Sequence, residues 1–136
     1  MTALTFCKQE RMVSRLLIET LFSGEHSASM ARFPLRAVYM TIDRPEGAQT
    51  QPVQLLVSVS KKRFKHAVDR NRVKRQVREA YRCHKDMLQT VVPANRQLLL
   101  AFIWLSDQHL PTADVTRRIK NLLQRIAERA AKEETS

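Results

Sequence analysis

Residues 61–82, KKRFKHAVDRNRVKRQVREAYR, carry ten Lys and Arg side chains against two acids, Asp69 and Glu79. This stretch holds eight of the eleven net positive charges of the 136-residue chain. Charge gathered this way repels itself, so a polyanionic partner is the natural reason for it. Six of the ten are arginine, which brings a planar fork that grips phosphate with two parallel hydrogen bonds. Asn71, between Arg70 and Arg72, adds a side chain that both donates and accepts, which charge binding alone does not need. The chemistry on offer is recognition of structured RNA rather than bond cleavage.

Protein-based catalysis finds little support. No GxSxG, HExxH, P-loop or dinucleotide fingerprint is present. Two glycines in the whole chain argue against a backbone phosphate cradle. Cys7 and Cys83, with His26, His66, His84 and His109 scattered, lack the spacing of a metal site, so no metal bound by the protein is expected. Two unclustered cysteines, no apolar leader and a longest apolar run of only eight residues (98–105) suit a soluble, cytoplasmic protein without a membrane partner.

The elements that must position the basic residues follow from periodicity. Met12, Leu16, Leu17, Ile18, Leu21 and Phe22 predict an amphipathic helix over 11–22, ended at Ser23-Gly24. LRAVYMTI (35–42) and VQLLVSVS (53–60) read as strands on either side of a Pro- and Gly-containing loop, and a further short strand within 27–34 is compatible with the pattern. Val53, Leu55, Val57 and Val59 share one face of the second strand, leaving Ser58 and Ser60 on the other. On the first strand Val38, Met40 and Ile42 are assigned to the core, so Tyr39 and Thr41 would lie beside the serines. The basic segment forms a helix from about 67–69 to about Met87, with Asp69 as N-cap or first-turn acid. Its buried stripe is Val73, Val77, Ala80 and Tyr81, flanked by a Lys74–Arg78–Arg82 ridge with Arg75 beside it. LLLAFIWL (98–105) is a third strand. A last helix buries Val115, Ile119, Leu122, Leu123 and Ile126. The sum is one domain over 1–136, an α/β (α+β) two-layer sandwich on one small sheet, with 1–10 and 130–136 expected to be loosely ordered.

SVSKKRFKHAVDRNRVKRQVREAYR (58–82) resembles the signature of the bacterial ribonuclease P protein component: Ser-Val-Ser-Lys-Lys, a linker with Ala67-Val68, then Arg-Asn-Arg running into a helix. The resemblance extends more loosely over the 11–22 helix and the Pro-Glu-Gly loop. It implies a left-handed strand–helix–strand crossover, where general rules favour the right-handed one. It also implies that a separate RNA subunit is the catalyst, that Mg2+ serves that RNA, and that the protein has no catalytic residue. The complex cuts precursor tRNA to release the 5′ leader. By the same resemblance Lys61, Lys62, Arg70, Asn71, Arg72, Lys74, Arg75 and Arg78 would meet the RNA subunit, and Phe22, Tyr39, Ser58 and Ser60 would line a cleft for the leader.

Departures from the family pattern stand at Leu56 or Val57 and at Phe64, where glycine is common, and at Ile18, where an aromatic is common. Bulky side chains there forbid backbone shapes that glycine allows, so a reshaped turn before the basic helix is expected. The alternatives are a structural RNA binder of ribosomal-protein type and a helix-turn-helix DNA binder. The second needs two short helices and a tight turn where 53–65 reads as strand and linker.

Overall fold

The computed structural model describes residues 15–23, 27–43, 52–93 and 95–135. Their elements are α1 (Arg15–Ser23), β1 (Ala28–Arg32), β2 (Leu35–Asp43), β3 (Val53–Ser58), α2 (Ala67–His84), α3 (Asp86–Gln89), β4 (Arg96–Trp104) and α4 (Thr112–Thr135). The four strands form one sheet in the order β1-β2-β4-β3, mixed α+β in class. β1–β2 and β2–β4 are antiparallel, and β3–β4 is parallel. A parallel pair needs a long crossover, and α2 with α3 supplies it.

β4 is central, and its apolar run is continuous because both of its faces are covered. The larger core lies between the sheet and α2 and α4. It gathers Leu35, Ala37 and Tyr39 of β2, Val53, Leu55 and Val57 of β3, and Leu98, Leu100, Phe102 and Trp104 of β4. Val73, Val77, Ala80 and Tyr81 of α2 close it, together with all five apolar residues expected on α4, which are fully buried. Each such aliphatic side chain contributes on the order of 1.5–3 kcal/mol of hydrophobic stabilisation. The opposite face is smaller. There α1 lays Leu21, with Ile18 beside it, on Val38, Met40, Leu99 and Ala101.

The short strand that 27–34 allows is present as β1 and pairs with β2 from Ala28↔Tyr39 to Arg32↔Leu35. Two expectations change. The basic helix ends at His84, and the remaining turn is the separate α3, with Leu88 buried. The phase of β2 is inverted: Leu35, Ala37 and Tyr39 face the larger core, and Val38 and Met40 face α1. β3 keeps the phase expected of it. Met12, Gly24, the 44–51 loop and residues 1–10 lie outside the described residues.

Candidate nucleic-acid interface

Helix α2 carries its cations on a fixed scaffold. At 3.6 residues per turn, Val73, Val77, Ala80 and Tyr81 turn one side inward. Gln76 extends that side. It is buried, and its Nε2 donates to Leu110 O and to Thr112 Oγ1, both 3.1 Å away, so this flank faces the start of α4. Lys74 and Arg78 each stand two residues from Gln76, about 160° around the helix, on the flank turned from α4. Asn71, Arg72 and Arg75 are exposed, and Lys74, Arg78 and Arg82 are half-buried. Arg82 is partly spoken for: its Nε donates to Glu79 Oε2 at 3.0 Å, and its Nη2 to Glu79 Oε1. That hydrogen bonding holds the Glu79 carboxyl below its ordinary range and raises Arg82. The ridge is therefore most strongly cationic toward its N-terminal half.

The linker before α2 is a built turn. Ser60 Oγ accepts from the Lys62 N–H at 2.9 Å, and Ser60 O accepts from the N–H groups of Arg63 and Phe64. Arg70 reaches back from α2 and donates through Nη1 to Phe64 O at 2.8 Å and to Lys65 O at 3.0 Å. Phe64 is buried and stacks on the His109 ring, with centroids 4.5 Å apart. His109 Nε2 lies 3.1 Å from Asp69 Oδ1. So Asp69 is a first-turn acid, and His66 occupies the N-cap without a side-chain cap. Lys61 and Lys62 ride exposed on the turn, and Arg70 spends part of its guanidinium on holding it. Phe64 thus fills space under the loop before α4.

On the α1 face, strand register sets out a row. Ala31, Arg36, Ile103 and Ser58 stand side by side across the four strands, a span of about 14 Å at about 4.8 Å per strand. A pocket of about 320 Å³ opens beside it, lined by Leu21, Phe22, Ser29, Arg36, Val38 and Ile103 among others. Phe22 is 43% exposed. Thus Phe22 and Ser58 share this face, while Ser60 lies past the end of β3 and closes the turn. Tyr39 does not belong with them: it pairs with Leu100, is 2% exposed and sits in the core under α2 and α4. Its place on the cleft is corrected by the β2 phase. Arg36 and Ser29 were missed. The single arginine of β2 was the available signal, since it marks which alternation reaches water.

Among the described residues no three His, Cys, Asp or Glu side chains gather where a metal ion could sit. The family model described as Ribonuclease P matches residues 6–127. The chain belongs to the ribonuclease P protein family. A ribonuclease P protein component of Porphyromonas gingivalis is 43% identical over 122 residues, covering 88% of this chain and 85% of that one. One from Chlorobaculum tepidum is 35% identical over 100 residues, 65% of each chain. The fold matches solved ribonuclease P proteins: that of Staphylococcus aureus with a TM-score of 0.65 at 20% identity, covering 86% of this chain and 94% of that one, and that of Thermotoga maritima with 0.63 at 24%, covering 85% and 96%. Family membership assigns a subunit role in ribonuclease P and disfavours the ribosomal-type alternative.

Proposed function

We propose that the chain works by holding two RNAs at once. The flank of α2 formed by Arg70, Asn71, Arg72, Lys74, Arg75 and Arg78, with Lys61 and Lys62 on the adjoining turn, binds the ribonuclease P RNA. The α1 face, through Phe22, Arg36 and Ser58, takes the single-stranded 5′ leader of precursor tRNA, by ring stacking and phosphate contact. The observation that carries this reading is the continuity of the two surfaces. The row ending in Ser58 runs into the Ser60 turn, and that turn is bonded to Arg70 at the head of the cationic flank.

Cleavage itself belongs to the RNA in this reading. In the same reading Mg2+ serves the RNA, and no step is assigned to a protein-held ion. What the protein contributes is affinity and position, with cations that offset phosphate repulsion between two RNAs. No described helix is long and apolar enough to cross a membrane, and a cytoplasmic setting accords with where tRNA is processed. Reconstitution with a ribonuclease P RNA at low magnesium tests the function. The protein is expected to tighten precursor binding and speed release of the leader; an RNA whose binding and cleavage are indifferent to the protein would refute it.

A further inference from the structure

The tip of the β1–β2 hairpin carries an apolar ring that the fold does not use. Phe33 is 69% exposed, more than Phe22 in the cleft. Its backbone is nonetheless anchored. Arg118 of α4 donates through Nε to Phe33 O at 2.9 Å and through Nη1 to Asp114 O at 3.1 Å. The Leu105 N–H donates to Pro34 O at 2.7 Å, and Arg32↔Leu35 closes the hairpin. Arg32 and Arg36 flank the tip, both exposed. The neighbouring carboxylate, Asp114, lies 3.4 Å from Arg117 and is countered by it. Arg36 stands with Ala31 on the α1 face, whereas Arg32, paired with Leu35, stands on the other. An aromatic ring on a pinned turn with an arginine on its cleft side has the make-up of a base-stacking platform with a phosphate contact beside it.

We propose that this tip is a second contact for the precursor leader, with Phe33 stacking a base that has passed beyond the cleft and Arg36 holding its phosphate. The charge selects a polyanion over an apolar protein partner. Contiguity selects the leader over the RNA subunit: Arg36 lines the α1-face pocket and also stands three residues from Phe33, whereas α2 packs on β3, at the opposite edge of the sheet from the hairpin. The inference rests on the leader reading of the cleft, extending its path toward the β1 edge.

The test uses the full chain reconstituted with a ribonuclease P RNA, and precursors whose leaders are lengthened one nucleotide at a time. Wild-type affinity is expected to rise with leader length as the cleft fills and again as the tip is reached. Phe33→Ala should erase the second rise, weakening the longest precursors by roughly 5- to 150-fold, the range for loss of one stacked base. It should leave short-leader precursors and the thermal midpoint unchanged. Phe33→Trp should restore the rise and Phe33→Leu should not. A length dependence that Phe33→Ala leaves intact would overturn the tip alone, as would an equal loss at every length. A wild-type affinity indifferent to leader length would overturn the cleft reading along with it.

Discussion

The two faces of the sheet are finished to different degrees. Under α2 and α4, Phe102, Trp104, Tyr81 and a row of leucines are sealed from water. Under α1, five buried residues make a small patch, and a pocket remains beside it. Layers that need only stability are filled to the density of a crystal, and the first is closed to water throughout. The second leaves an aromatic, a serine and an arginine (Phe22, Ser29 and Arg36) uncovered, which a fold alone would not require. The contrast separates residues that hold the molecule from those proposed to meet RNA.

Truncations should divide along that line. Phe102→Ala, on the sealed face, is expected to cost about 3–5 kcal/mol, read as a shifted denaturation midpoint. Phe22→Ala should barely move that midpoint while weakening precursor binding. If Phe22→Ala unfolds the protein, or Phe102→Ala spares it, the contrast fails.

Arg75→Ala with Arg78→Ala probes the cationic flank that the sealed face supports. RNA-subunit affinity should fall, and its logarithmic dependence on salt should flatten by about 1–2 units, at roughly 0.7–0.9 for each phosphate no longer neutralised. An unchanged slope would remove this flank from the interface.

Tyr39→Phe asks which face Tyr39 serves. Its hydroxyl is buried without a hydrogen-bond partner, so removing it should leave stability level or raise it by up to about 1 kcal/mol. Precursor affinity should not change. A clear loss of affinity would return Tyr39 to the cleft.

The smallest effect is expected from Glu79→Gln. The pair with Arg82 is exposed, and exposed pairs add little. Because the folded-state pKa of Glu79 is lowered, whatever it adds is present above the ordinary carboxylate range and fades as pH falls through the folded value. The neutral-pH midpoint should therefore stay level within error. RNA-subunit binding should tighten slightly, since Arg82 is released and one negative charge leaves the helix.

Much of this division is legible in the sequence alone. The stripes of α2 and α4 are amphipathic at 3.6 residues, and the valines of β3 alternate cleanly against Ser58, so one period fits each. β2 is different. Leu35, Ala37 and Tyr39 on one alternation and Val38, Met40 and Ile42 on the other are both apolar, because both faces of that strand are covered. Periodicity then cannot choose, and a one-residue error in phase moved Tyr39 to the wrong side. Arg36 breaks the tie. The contacts of Phe64 and Gln76 span 34 or more residues to the loop before α4, and local pattern carries no trace of such partners.

Phe64 also bears on how freely parts of relatives can be exchanged. The Lys61–Arg82 signature looks like a portable cassette, since its residues are contiguous. Here its linker is keyed to a distant loop through the ring pair with His109, and through His109 to Asp69. A chimaera that imports a glycine-bearing linker alone would leave His109 over a gap and the basic turn without its floor. An exchange that keeps the turn in register has to carry the loop before α4 together with the signature, so the unit of inheritance in this protein is a pair of segments some 40 residues apart.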